Sequence, residues 1–306
     1  MGSIGIFDSG YGGLTILDGI RKRLPHYDYV YLGDNARAPY GTRSFDVVYE
    51  FTLQAVKKLF ELGCPLVILG CNTASAKALR SIQQNYLPQH APDHRVLGVI
   101  RPTAEVVGNI SHTHHIGVLA TEGTIRSLSY NLEIEKLYPG STIIGQACPM
   151  WVPLVENNEF DKPGADYFIR DSLQKLLSQD PLIDTIILGC THYPLLLPKI
   201  EQHLKDLTIS PINTTHKSHL PSNTPHGFSL PKQGESERVP ISLIPQGQYI
   251  AASLEDYLHR HPEMTQRLTQ GGACQYFTTE SPTKFRESAS LFLHEEITAQ
   301  HITLND

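Results

Sequence analysis

Short apolar runs alternate with helix-length amphipathic segments along almost the entire chain. The segment Phe45–Leu62, for example, has apolar side chains at close to 3.6-residue spacing, as an amphipathic helix requires. Runs rich in β-branched residues and bounded by turn residues indicate buried strands. The predicted strands are Ile4–Phe7, Tyr29–Leu32, Leu66–Leu69, Val96–Ile100, Ile116–Leu119, Thr142–Ile144, Thr185–Leu188, Ser242–Ile244 and Gln275–Phe277. The alternation is typical of βαβ units and predicts an α/β fold with mainly parallel sheets.

The size and charge of the chain narrow the class of protein further. With 306 residues it is at the upper limit for one hydrophobic core, so two α/β lobes are expected. The formal net charge is −6 and the basic residues form no cluster, which argues against nucleic acid as the main ligand. No run approaches the roughly 18 consecutive apolar residues of a membrane span. A predicted strand begins almost at once and leaves no room for a signal peptide, so we expect a cytoplasmic protein.

One segment, 208–238, interrupts the alternation. It contains four prolines among Ser, Thr, Asn and His residues and has no hydrophobic period. We interpret it as a mobile insertion that projects from the surface. Its histidines do not have the spacing of ligands on one helix or hairpin, so no metal site is predicted here.

The five cysteines fall into two groups. Their odd number and the lack of a C-x-x-C spacing argue against a disulfide framework and against a zinc site. Cys71 and Cys190 each follow an apolar strand and a glycine, and each precedes small polar residues and a predicted helix. Cys64, Cys148 and Cys274 lack this context. The repeated pattern predicts that Cys71 and Cys190 occupy equivalent positions in two similar half-molecules.

The predicted position of these two thiols favours a catalytic role. In open α/β sheets, ligands bind in the crevice at the carboxyl ends of the strands. Gly70 and Gly189 would let the backbone approach such a ligand, and the helix start behind each cysteine stabilises negative charge by roughly 0.3 to 1 kcal/mol. That energy is worth less than one pKa unit, so another group must help to deprotonate the thiol. The alternative is that both cysteines are inert packing residues.

Two polar segments could supply that help. Asp8 and Ser9 follow the first predicted strand in a glycine-rich loop, where Thr15 replaces the third glycine of a dinucleotide-binding pattern. A carboxylate raises the pKa of a neighbouring thiol, so Asp8 would accept a proton rather than stabilise a thiolate. Asp8 could instead cap the next helix. His192, two residues after Cys190, suits a proton carrier, with a structural histidine as the alternative.

Two opposed thiols without disulfide or metal spacing have a distinctive use. One thiolate can remove a proton from one face of a carbon while the opposing thiol returns a proton to the other face, which inverts the configuration. Segments along nearly the whole chain resemble the glutamate racemases, cofactor-independent amino-acid racemases that make D-glutamate for peptidoglycan. The matching segments are Ile4–Leu14, Tyr31–Asp34, Pro39–Gly41, Cys71–Ser75, Ile116–Thr121 with Thr124, Val152–Glu156, Gly189–Pro194 and Phe277–Thr279.

The resemblance implies a role for each matching residue. Cys71 and Cys190 would form the acid/base pair, with Asp8 assisting Cys71 and His192 assisting Cys190. No metal or other cofactor is expected. The ammonium and carboxylate groups of the substrate would be bound by hydroxyl, amide and backbone N–H groups of Ser9, Tyr40, Gly41, Asn72, Thr73 and Thr191. Thr121 and Glu156 would complete this substrate-binding set.

The resemblance also implies the domain organisation. Residues 1–98 and 208–306 would form the first α/β lobe and residues 99–207 the second, with the active site in the crevice between two similar lobes. The partner would be the small-molecule substrate glutamate, and two chains could form a homodimer.

Two other functions share part of this pattern. Aspartate and hydantoin racemases also use two cysteines, although the Asp8–Gly10 and Cys190–Tyr193 segments favour glutamate. A binding module built from two α/β lobes would share the crevice, but it would not need a matched pair of Gly-Cys strand ends.

Overall fold

The protein forms two parallel β-sheets, as described by a computed structural model for residues 1–209 and 240–304. The predicted insertion 208–238 therefore lies outside the described residues, apart from the end of a helix that ends at Ile209. The strands of the first sheet are β1 (Ile4–Asp8), β2 (Tyr29–Gly33), β3 (Leu66–Leu69), β4 (Arg95–Gly98), β9 (Cys274–Thr278) and β10 (Ala299–His301). Those of the second are β5 (His115–Ala120), β6 (Thr142–Ala147), β7 (Thr185–Gly189) and β8 (Ser242–Ile244).

The two sheets repeat one topological unit. The first has the order β10-β9-β2-β1-β3-β4 and the second the order β6-β5-β7-β8, so β2-β1-β3-β4 corresponds to β6-β5-β7-β8. All neighbouring strands are parallel. Cys71 follows β3 and Cys190 follows β7, which are equivalent strands of the two units. The predicted α/β fold with two mainly parallel sheets is confirmed.

Helices cover the sheets and connect successive strands. The strands β1 and β7 are buried along their whole length, which explains why their sequences are almost continuously apolar. The predicted helix Phe45–Leu62 is present as α2, and Ser44 caps it by accepting a hydrogen bond from the Val47 N–H. The helices are α1 (Leu14–Arg23), α2 (Phe45–Glu61), α3 (Asn72–Lys77), α4 (Leu79–Ser81), α5 (Leu87–His90), α6 (Ile100–Ile110), α7 (Glu122–Arg126), α8 (Ser129–Leu137), α9 (Trp151–Glu156), α10 (Pro163–Gln179), α11 (Leu197–Ile209), α12 (Gly247–Arg260), α13 (Pro262–Thr265) and α14 (Pro282–Leu293).

The structure differs from the predicted elements at three places. Ile100, predicted as the end of a strand, begins α6, because a short apolar run can form either a strand or a buried helix start. The edge strand β10 was not predicted, since its sequence is short and polar. The strand β8 pairs with β7 in the second sheet, although it lies within the range 208–306 that was predicted for the first lobe. The division into lobes otherwise stays a prediction.

The two sheets share a continuous hydrophobic core. Its largest cluster includes Ile6 and Leu66 from the first sheet together with Leu119 and Ile186 from the second. This shared core fixes the carboxyl ends of β1, β3, β5 and β7 relative to one another. Among the helices of residues 1–209 and 240–304, none is long and apolar enough to cross a membrane.

Candidate active site

A cavity of about 130 Å³ lies where the carboxyl ends of strands from both sheets meet. Both thiols, Cys71 and Cys190, line it. All the predicted site residues line this cavity except Asp8, which is fully buried next to Ser9. They are Ser9, Tyr40, Gly41, Cys71, Asn72, Thr73, Thr121, Glu156, Cys190, Thr191 and His192. The structure therefore brings the predicted residues together, and their individual roles stay proposals.

Cys71 lies at the start of a helix and next to a hydroxyl group. It is the N-cap residue of α3, where its Sγ accepts a hydrogen bond from the Ala74 N–H at 3.4 Å. Ser9 Oγ is 3.3 Å from the same sulfur. Burial and the negative charge of Asp8 raise the pKa of the Cys71 thiol to about 12, although the Ser9 hydrogen bond acts in the opposite direction. Cys71 therefore holds its proton at neutral pH.

Asp8 is a buried carboxyl group that supports the loop after β1. Its Oδ1 accepts a hydrogen bond from the Gly10 N–H at 2.8 Å. Burial raises the pKa of Asp8, while the charge of His192 and the backbone N–H groups of Gly10 and Gly13 oppose that shift. The N-cap position of α1 is held by Gly13 rather than by Asp8. We call Cys71, Ser9 and Asp8 the Cys71 side of the site.

Cys190 belongs to a chain of three side chains. His192 Nδ1 is 3.8 Å from Cys190 Sγ, and His192 Nε2 is 3.1 Å from Glu156 Oε1. Burial by itself lowers the pKa of His192, but the hydrogen bonds to Cys190 and Glu156 outweigh burial and raise it to about 10. His192 therefore carries a proton, and a positive charge, next to Cys190 at neutral pH. We call Cys190, His192 and Glu156 the Cys190 side.

Two glycines, Gly12 after β1 and Gly41 after β2, lie where segments that follow strands of the two sheets come into close contact. A Cβ atom at Gly12 would lie 2.2 Å from Thr191 Oγ1 and 2.5 Å from His192 Nδ1. A Cβ atom at Gly41 would lie 2.8 Å from Thr121 Cβ, and the Gly41 carbonyl accepts a hydrogen bond from the Gly123 N–H at 2.8 Å. These glycines therefore allow segments from the two sheets to touch across the cavity.

Hydroxyl groups cluster at one wall of the cavity. Thr73 Oγ1 lies 3.0 Å from Thr121 Oγ1 and 3.3 Å from Thr124 Oγ1. Thr121 caps α7, so its hydroxyl joins the start of that helix to α3. The hydroxyl of Tyr40, in contrast, donates to a carboxylate oxygen of buried Asp34. Tyr40 therefore lines the cavity without offering it a free hydroxyl group.

Several residues near the cavity were missed or interpreted differently from the sequence. Cys148, described above as lacking context, lines the cavity, and burial raises the pKa of its thiol to about 12. Gly70 and Gly189 were expected to let the backbone approach a ligand. Added Cβ atoms at these two positions would instead meet protein, 3.2 Å from the Phe7 carbonyl oxygen and 3.1 Å from the Cβ of Ala120. The Gly-Cys pattern therefore marks tight packing at the strand ends.

The cavity contains few fixed charges. Of the residues that line it in the described part of the chain, none is lysine or arginine. His192 is the basic side chain of the lining, and Glu156 and Glu122 are the acidic ones. A carboxylate in this cavity would be held by hydroxyl groups and by the unpaired N–H groups at helix starts.

Comparisons with known proteins agree with this geometry. The family model for Asp/Glu/hydantoin racemases matches residues 15–217. A glutamate racemase of Roseobacter denitrificans is 37% identical over 305 residues, covering 96% of this chain and 98% of its own length. A solved glutamate racemase isoform from Bacillus anthracis is similar with a TM-score of 0.80 and 30% identity, covering 99% of this chain and 98% of its own. The structure of a glutamate racemase from Francisella tularensis in complex with D-glutamate is similar with a TM-score of 0.77 and 28% identity. The match covers 99% of this chain and 98% of that structure's chain.

Proposed function

The chain belongs to the Asp/Glu/hydantoin racemase family as an isomerase of the glutamate racemase type, and we propose that it interconverts L- and D-glutamate through two thiols. The observation that carries this mechanism is the single cavity lined by Cys71 and Cys190. These residues end equivalent strands of two equivalent sheet units. A substrate between them presents one face of its Cα atom to each thiol.

The reaction consists of two proton transfers. The thiolate of one cysteine takes the proton from Cα, which forms an S–H bond and leaves a carbanion delocalised into the α-carboxylate. The thiol of the other cysteine then donates its proton to the opposite face of Cα, which forms the other enantiomer and leaves a thiolate. Each turnover therefore exchanges the protonation states of Cys71 and Cys190, and the reverse reaction uses the same groups in exchanged roles.

The groups beside each thiol would support these transfers. His192, which carries a proton 3.8 Å from Cys190 Sγ, faces that sulfur with a positive charge. On the Cys71 side, Asp8 and Ser9 would move or share a proton with the thiol. Thr73, Thr191 and the N–H groups at the start of α3 would hold the carboxylates of glutamate. No cofactor takes part in this proposal.

The proposed product also suggests a biological role. As the family resemblance implies, D-glutamate would supply peptidoglycan synthesis, and we propose that the enzyme acts in the cytoplasm. Growth of a strain that lacks the gene should then depend on added D-glutamate. Growth without any added D-amino acid would count against this role but leave the chemistry untouched.

The chemistry can be tested by hydrogen exchange. Each enantiomer of glutamate and of aspartate is incubated with the enzyme in D₂O, and deuterium at Cα and optical rotation are followed. We expect racemisation of glutamate and deuterium in the product, and a loss of roughly 10²–10⁴-fold in Cys71→Ser and in Cys190→Ser. Cys274→Ser, a change at a half-buried cysteine outside the cavity, is the matched control and should keep the activity.

Three results would contradict the proposal. Racemisation at the full rate in either cavity-cysteine variant would exclude the two-thiol mechanism. A preference for aspartate over glutamate would assign the other substrate of the family. Binding of glutamate without any exchange at Cα would assign a binding module.

A further inference from the structure

Three buried side chains next to the cavity form a closed ring of hydrogen bonds. Asn72 Nδ2 donates to Gln246 Oε1 at 2.6 Å, and Gln246 Nε2 donates to Tyr130 OH at 2.7 Å. Tyr130 OH closes the ring by donating to Asn72 Oδ1 at 2.7 Å. None of the three is more than 3% exposed. We call Asn72, Tyr130 and Gln246 the interlobe ring, because they come from three segments that are distant in the sequence.

Every side-chain polar atom of the ring has a hydrogen-bond partner, and the ring is anchored outside itself. The amide nitrogen of Gln246 also donates to Thr103 Oγ1 at 2.8 Å, and the Thr103 hydroxyl donates to the Val99 carbonyl at 3.0 Å. Both hydrogens of the Gln246 amide therefore have acceptors. Buried polar groups that are all paired specify one geometry, because any other arrangement leaves a polar atom without a partner.

Tyr130 connects the two thiol loops through this ring. Its hydroxyl binds Asn72, the residue that follows Cys71. Its aromatic ring packs on the backbone before Cys190, since a Cβ atom at Gly189 would lie 3.2 Å from Tyr130 Cε2. One rigid side chain therefore spans the distance between the segments that carry the two sulfur atoms.

We propose that Gln246 is a positioning residue that sets the separation of the two thiols across the substrate. It does so by closing the interlobe ring, which holds Asn72 on Tyr130 and thereby holds the start of α3. Gln246 is not among the described residues that line the cavity, so it acts through Asn72. This inference rests on the proposed two-thiol function.

Loss of the ring should affect the two thiols unequally. Without Gln246, the start of α3 can move with Cys71, while Tyr130 stays packed against Gly189 and Cys190 keeps its place. Proton transfer depends steeply on geometry, and a misplacement of about 1 Å can cost roughly 100-fold in rate. Transfer to and from Cys71 should therefore slow more than transfer to and from Cys190.

Isotope effects can report this inequality where simple rates cannot. The two enantiomers are equal in free energy, so kcat/KM must fall by the same factor in both directions. In the first direction of the reaction, Cys71 removes the deuterium of Cα-deuterated glutamate and Cys190 donates a proton. In the second direction, Cys190 removes the deuterium and Cys71 donates the proton. If the Cys71 step becomes slower, the isotope effect on kcat/KM rises in the first direction and falls in the second.

The experiment compares two variants that break the ring with one that does not. Gln246→Met and Tyr130→Phe each remove a member of the ring and should lower kcat by roughly 10- to 100-fold with opposite changes in the two isotope effects. Thr103→Val removes a hydrogen bond to the same Gln246 amide but leaves the ring closed. It is the matched control, which should lose stability but keep the wild-type isotope effects. Circular dichroism of each variant confirms folding.

The possible outcomes distinguish a failure of this inference from a failure of the proposed racemase function. Gln246→Met or Tyr130→Phe that folds and keeps wild-type isotope effects in both directions would overturn the inference. Changes in the two isotope effects that are as large in Thr103→Val as in the ring variants would also overturn the inference, because the effect would then not depend on the ring. If the wild-type enzyme does not exchange the Cα hydrogen of glutamate, the proposed function itself fails.

Discussion

The Cys71 side and the Cys190 side occupy the same position of a repeated sheet unit but have opposite electrostatic surroundings. Cys71 lies beside the buried carboxyl group of Asp8, and its thiol has a pKa raised to about 12. Cys190 lies beside His192, whose own pKa is raised to about 10. The neighbour of one sulfur is therefore a buried carboxyl group, and the neighbour of the other is an imidazole that carries a proton.

This difference shows how a repeated fold can serve a reaction that needs unlike partners. The proposed racemisation starts with one thiolate and one thiol, so two identical environments would favour either two thiols or two thiolates. The shared β2-β1-β3-β4 topology places the two cysteines after equivalent strands, where both line one cavity. Different side chains lie beside the two sulfur atoms, Ser9 and Asp8 at Cys71 and His192 at Cys190.

The largest expected effect tests whether His192 is the proton carrier of its side. His192→Gln should lower kcat by roughly 10²–10⁴-fold in both directions, because Cys190 loses the charge that faces it. Steady-state kinetics by circular dichroism of glutamate would measure the change. Activity within about threefold of wild type would make His192 a structural residue and remove the contrast between the two sides.

The next effect tests how tightly the two sides must meet. Gly12→Ala should lower kcat roughly 100-fold, because the new methyl group would lie 2.2 Å from Thr191 Oγ1 and push the Cys190 loop away. Gly164→Ala is the matched control, since a Cβ atom there meets nothing within 4 Å. Equal rates for the two variants would show that the contact at Gly12 is not needed for turnover.

Two smaller effects should shift the pKa of the Cys71 thiol in opposite directions. Asp8→Asn should lower the pKa of Cys71, because it removes a negative charge, whereas Ser9→Ala should raise it, because the hydrogen bond to the sulfur is lost. The rate of alkylation of Cys71 by iodoacetamide, measured against pH by peptide mass spectrometry, reports the pKa. Shifts of the same sign in both variants would contradict the arrangement described for the Cys71 side.

The smallest effect concerns the pH dependence of stability on the Cys190 side. The folded pKa of His192 is about 10 against an ordinary value of 6.5, so its contribution to stability is complete below about pH 6.5 and is lost as the pH rises towards 10. Glu156→Gln removes one cause of the raised pKa, so the contribution should be smaller and its loss should be complete at a lower pH. Thermal unfolding between pH 6 and 10 would measure it. An unchanged Tm profile in the variant would show that Glu156 does not hold the proton on His192.

The features that the sequence predicts correctly depend on local pattern. A glycine and a cysteine after an apolar strand, found twice, are enough to predict that Cys71 and Cys190 lie at equivalent strand ends. Alternating apolar periods likewise predict most strands and the helix α2 within a few residues. These predictions succeed because the burial of a strand or of one helix face determines the pattern of apolar residues within a short stretch of sequence.

The features that were missed depend on contacts between distant segments. Gln246 is 174 positions from Asn72 and 116 from Tyr130, and nothing around Gln246 in the sequence marks its partners. The sequence shows that Gly12 belongs to a glycine-rich loop, but it does not show that Gly12 closely approaches the side chain of Thr191. The strand β8 pairs with β7 of the second sheet, although the range 208–306 was predicted for the first lobe; its partner β7 lies on the other side of the segment 210–239 in the sequence.

The lining of the cavity without lysine or arginine has a consequence for how glutamate reaches the enzyme. Fixed dipoles such as hydroxyl and N–H groups act over a few ångströms, whereas a cluster of cations would attract an anion over a Debye length of roughly 10 Å at 0.1 M salt. The chain as a whole carries a formal charge of −6. Capture of the anionic substrate therefore receives no long-range attraction from a cluster of cations in the described lining, and added salt should not slow it.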